Sequence, residues 1–223
     1  MISYLLIALM VAAIISISSY FFAINSLYKK EYKKNISFRN TFILEAAPHN
    51  KSKESFINIL LYIPLLCLIA SVALFMSRYY LFSEVSLIGL LITTVILSFC
   101  LAMLPHIDLK YLKEHLYLNL GSIILYALAS SFILYLSYYF CKLYDFMNIS
   151  LIISFVISIL LFLVSLIFIF NRRLFDLSNE TDDSGEPIRA KFIPLAASEW
   201  IITISSILLI IPLILMSVAV QIA

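Results

Sequence analysis

Six long stretches of this 223-residue chain contain no charged residue, although 15 Lys and Arg and 13 Asp and Glu occur elsewhere in it. A charge at the centre of a bilayer costs several kcal/mol and is kept mainly for ion transport, proton relay or voltage sensing. Stretches without any argue against all three. Glycine is also scarce, with only 3 residues, and there are 6 prolines. Among the glycines only Gly89 and Gly121 lie in or next to an apolar stretch, and Pro64 and Pro212 are the only prolines well inside one. Transporters with unwound helices place such breakers at matching points of two halves. Pro64 in the second stretch and Pro212 in the sixth do not correspond under a three-plus-three repeat. The 3 cysteines, Cys67, Cys100 and Cys141, form no CxxC pair and read as small apolar packers. No His-Glu-x-x-His helix, Gly-rich phosphate loop or Gly-x-Ser-x-Gly elbow occurs, so the expectation is a chain that is not an enzyme. No cofactor or metal is implied, and nothing points to nucleic acid.

What is present is hydrophobicity. The chain is 63% hydrophobic, against roughly 45–50% in soluble domains. Apolar runs of about 18 residues or more are long enough to cross a bilayer as helices. They fall at about Ile2–Leu27, Phe56–Met76, Val85–Leu104, Leu120–Phe140, Ile149–Phe170 and Ile201–Val220. Lipid offers no hydrogen bonds, so each span must satisfy its own backbone, which uninterrupted runs do as helices. The expected fold is an all-α integral membrane protein with six transmembrane helices in one bundle, a single domain over 1–223. The first run has no basic segment ahead of it and exceeds a signal core, so it is read as retained.

Charge outside the spans is uneven. All but Arg78 and Lys142 of the Lys and Arg lie in loops one, three and five. Such bias places basic loops in the cytoplasm. The expected site is the cell membrane, with both termini extracytoplasmic. Residues 28–55 then form a basic cytoplasmic loop whose Lys29, Lys30, Lys33 and Lys34 can attract anionic lipid by about 1 kcal/mol per charge. Residues 105–118 read as an interfacial helix with Asp108, Leu112 and His115 on one face; the spacing of His106 and His115 does not suit a metal. Residues 171–200 form an acidic loop or small hairpin turning at Ser184-Gly185. A calcium loop there is excluded, because its twelfth position falls on Lys191. Cys141 is expected at the outer surface, open to an impermeant thiol reagent.

Small residues recur at i, i+4 spacing on span one (Ala8, Ala12, Ser16) and span five (Ser150, Ser154, Ser158, with Ser165 a heptad further). Small side chains let helices approach closely in lipid, so these read first as packing faces. The sharper alternative is a hydroxyl-lined path, joined by Thr93, Thr94 and Ser98. Two functions follow. The first is a non-catalytic accessory, scaffold or self-assembling subunit whose partners are the bilayer and another membrane protein or a second copy. The second is a permease, channel or substrate-capturing subunit for a neutral small solute.

Overall fold

The computed structural model describes residues 2–39, 41–46, 51–107, 111–144, 146, 148–171, 174, 180–181, 187–188 and 192–222. Helices α1 (Ile2–Tyr32), α3 (Lys51–Tyr79), α4 (Glu84–Met103), α5 (Leu112–Leu143) and α6 (Ile149–Ile169) each supply one long apolar rod. A sixth is built from α7 (Pro194–Leu208) and α8 (Ile210–Ile222) in succession, and α2 (Ile43–Ala46) is a single turn in the first loop. All six rods are long and apolar enough to cross a membrane. Apart from a two-residue antiparallel ribbon, in which Glu180 pairs with Ile188 and Thr181 with Pro187, the described residues hold no strand.

Successive rods pack side by side, and α8 closes the set by touching α1, α3, α5 and α6. Ser3 Oγ lies 3.3 Å from Ser217 Oγ, and the Tyr79 and Phe140 rings meet at 5.6 Å. The chain ends and the second and fourth connections therefore share one end of the bundle. At the other end the Ile193 N–H donates to the Arg39 carbonyl (2.8 Å), and the Trp200 indole N–H donates to that of Thr41 (2.7 Å). Loops one, three and five converge there.

The two prolines inside the rods act differently. Proline has no N–H to offer the carbonyl four residues back. For Pro64 that carbonyl belongs to Leu60, and the Ser16 hydroxyl of α1 donates to it at 2.8 Å, so α3 runs through unbroken. At Pro212 the rod breaks instead. Its ring opposes the Leu208 carbonyl, and the chain tightens so that the Leu209 N–H donates to Ser206 (3.3 Å). Replacing Ser16 by Ala should cost about 1 kcal/mol, the usual size of an interhelical hydrogen bond in a bilayer. In a Pro64→Ala background, where the backbone supplies its own donor, the cost should vanish. Chemical unfolding of the four proteins measures the difference.

Gly89 is required by close approach. A Cβ there would lie 2.6 Å from the Phe132 ring of α5. Gly89→Ala should lower stability by about 1 kcal/mol through overpacking, and Phe132→Leu should reduce that loss in the double variant. The same unfolding measurement reads it.

Several expectations need correction. Cys141 is fully buried, because α5 runs on to Leu143 and carries it against the core. An impermeant reagent should therefore leave it unmodified. The stretch 105–118 divides between a 3-10 turn at Leu104–His106 and the first turns of α5, which begin at Leu112. The turn at Ser184-Gly185, with Arg172, Arg173 and Lys191, lies outside the described residues. Helix α1 ends where Lys33 adopts a left-handed φ of 57° and its N–H donates to Lys29 (3.0 Å). That is a glycine-type cap made without glycine.

Candidate functional site

Lys29, Lys30, Lys33 and Lys34 are all exposed around that cap. Ala8 and Ala12 are exposed as well. The face of α1 that enters the core is Leu6, Met10, Ala13, Ile17, Tyr20 and Ile24. At about 100° per residue, Ala8 lies some 200° round the helix from Leu6. Within one chain the predicted small face of α1 thus reduces to Ser16, which is buried.

The serine face of α6 turns inward: Ser154, Ser158 and Ser165 are buried and Ser150 is half-buried. Ser137 of α5 meets Ser154 at 3.1 Å and Ser158 at 2.9 Å. The Ser154 hydroxyl donates to the Pro212 carbonyl (3.2 Å), and that of Ser158 to the Ser154 carbonyl (2.7 Å). Three rods thus share one hydroxyl cluster beside the break in the sixth. On α4, Thr93 turns back to the Gly89 carbonyl (2.8 Å) and Thr94 to that of Leu90. The Ser98 hydroxyl is buried without a partner.

The strongest ionisable constellation lies where the loops converge. The apolar run of the sixth stretch begins at Ile201, but its helix begins at Pro194. Those extra two turns carry Glu199 inside. His115 of α5 is brought in the same way, and neither side chain has any solvent exposure. A carboxyl group and an imidazole, both outside the six apolar stretches, are thus packed inside the molecule at this end of the bundle.

The Glu199 carboxylate is met from three sides. His115 Nε2 lies 2.5 Å from Oε1, the Asn119 amide donates to the same oxygen at 3.3 Å, and the Ile43 N–H donates to Oε2 at 3.0 Å. The Asn119 amide also donates to the Leu195 carbonyl (3.1 Å). A carbonyl only accepts, so the orientation of Asn119 is fixed and its NH2 faces the carboxylate. Glu199 thus accepts from Asn119 and Ile43, and one proton is shared between its Oε1 and His115 Nε2. The other imidazole nitrogen, Nδ1, is buried with no partner, and the Phe42 ring stands edge-on to the imidazole at 5.5 Å.

A carboxylate that orients an imidazole is the supporting half of an acid–base dyad. Here neither group meets solvent, so the arrangement works first as a tie. It joins α5, α7 and the turn α2 of the first loop, and the Trp200–Thr41 bond holds that loop a second time. Burial of a polar or charged group is costly unless it is paired and hydrogen-bonded, which these three partners supply.

A second imidazole, His106, lies 2.5 Å from the Tyr62 hydroxyl across α3 and the third loop. Among the described residues no group of three metal-ligating side chains forms. Asn148 caps α6 by accepting from the Ser150 N–H (2.9 Å). Searched against protein-family models, curated proteins and solved structures, the chain matches none of them.

Proposed function

We propose that this is an integral membrane protein of six transmembrane helices that acts without catalysis, as an accessory, scaffold or self-assembling subunit. One observation carries the reading. Ser137, Ser154 and Ser158, the hydroxyls best placed to line a path, bond to one another and to the Pro212 carbonyl. Hydroxyls used this way join helices, whereas a solute path needs them directed into water-filled space. The broad apolar outer surface, with Leu81, Val85 and Phe22 strongly exposed, suits lipid or a neighbouring membrane protein.

In this reading the basic loops are cytoplasmic, both termini lie outside, and the lysines after α1 meet anionic lipid. Cysteine accessibility tests the orientation. Leu81→Cys should react with an impermeant maleimide on intact cells, and Lys33→Cys only after permeabilisation. The reverse pattern would invert the threading.

Function is tested by crosslinking in the native membrane, followed by gentle extraction and mass measurement of what stays together. A multimer, or a stoichiometric complex with another membrane protein, is expected. A lone monomer in both the crosslinked and the uncrosslinked sample would remove the proposal.

A further inference from the structure

A groove of about 560 Å³ runs beside α7 at the loop-convergent end. Phe21, Phe38, Arg39 and Trp200 line it, and Ile201 and Ile204 continue it along α7. From Ala197 to Ile204 the helix rises about 10 Å, so the groove runs some way along the rod. Hydrogen bonds and ring packing hold parts of its walls. Trp200 is tied to the Thr41 carbonyl, Arg39 is tied through its own carbonyl to Ile193, and the Phe38 and Trp200 rings pack edge to face at 5.1 Å. Almost nothing in it could hydrogen-bond a polar solute. Arg39 is its single charged group, exposed and without an ion-pair partner among the described residues.

We propose that this groove binds one anionic phospholipid, with an acyl chain along α7 and the phosphate against Arg39. The groove's chemistry selects that occupant. The apolar trough matches hydrocarbon, and the exposed Arg39 beside it supplies a cation for a phosphate. Ile201 and Ile204 open outward, where a lipid could enter sideways. This is distinct from the diffuse attraction of the exposed lysines, which asks nothing of the acyl chain. The inference rests on the protein being embedded in a bilayer, so vesicle flotation after an alkaline wash is done first. Loss of the protein from the vesicles would defeat the membrane reading itself, separately from the lipid site.

The chain's single tryptophan lines the groove, which makes the measurement direct. The protein is reconstituted in phosphatidylcholine vesicles containing increasing amounts of brominated phosphatidylglycerol or brominated phosphatidylcholine, and quenching of Trp200 is recorded. Phosphatidylglycerol should quench at lower mole fraction, with an advantage of about fivefold for one cationic contact. Arg39→Gln should abolish that advantage while keeping the native fluorescence maximum. Ala197→Leu, which fills the trough, should weaken quenching by both lipids. A variant with Lys29, Lys30, Lys33 and Lys34 all changed to Gln should keep most of the preference. Equal quenching by the two lipids in the parent, or a preference unchanged in Arg39→Gln, overturns the proposal. So does a preference lost only in the four-lysine variant.

Discussion

Replacing Glu199 by Ala should lower stability by about 3–5 kcal/mol, the usual cost of removing one partner of a buried charged pair. The carboxyl group bonds to His115, Asn119 and Ile43 at once. Its loss leaves three polar partners in a dry interior, each carrying its own desolvation penalty. The turn α2 would lose its attachment to α7, leaving the Trp200–Thr41 and Ile193–Arg39 bonds to hold the first loop. Unfolding in mixed micelles with SDS, followed by the fluorescence of the adjacent and only tryptophan, reports the change where it occurs. Glu199→Leu and His115→Leu should not be additive. The double variant should recover about 1–3 kcal/mol relative to the sum of the singles, because each single change strands the partner of the other. An additive cycle, or a Glu199→Ala protein within 1 kcal/mol of the parent, would mean that the pair is not the tie described.

The way this site escaped the sequence is instructive. Hydropathy locates apolar runs, and it placed the third and fifth rods to within a residue at each end and the other four with ends short by up to eight residues. It cannot say how far a helix continues into polar sequence. For the sixth rod the difference is seven residues, Pro194 to Trp200, and those residues carry Glu199 and the groove wall. Pro194 at the first helical position was the available signal, since proline is favoured there. His115 and Asn119 lie four apart on α5 and so share a face, which spacing alone could have shown. That they face Glu199, some eighty residues away, is a fact of tertiary packing that no local pattern contains.

The small-residue faces show the same limit from the other side. Spacing puts the serines of α6 on a single face, of which Ser154, Ser158 and Ser165 are buried. The equivalent ladder on α1 looked as regular, yet Ala8 and Ala12 point outward because a stronger stripe through Leu6, Met10 and Ala13 takes the core. Periodicity gives a face, and competition between faces decides which is buried. Where Ser16 does enter the core, its partner is the Leu60 carbonyl freed by Pro64. Two residues that each looked incidental are thus complementary.

Ser154→Leu should cost about 2–4 kcal/mol, whereas Ser154→Ala should cost only about 1 kcal/mol. Ser154 is fully buried where α5, α6 and α8 meet. Leucine would force extra carbon atoms into a filled junction, at about 1–3 kcal/mol for overpacking, and would lose the bonds to Ser137 and Pro212 as well. Alanine loses the bonds alone. The contrast between the two substitutions is what distinguishes packing from passage. If the serine face lined a wet path, leucine would narrow the path with little effect on stability, and any solute flux into proteoliposomes would fall with it. If the face holds three rods together, both substitutions act on unfolding in proportion to volume and lost bonds. Any flux through the parent would then be no greater than that of protein-free vesicles. Unfolding curves and flux recorded on the same reconstituted samples separate the outcomes. A stable Ser154→Leu protein with reduced flux would transfer the assignment from scaffold to permease.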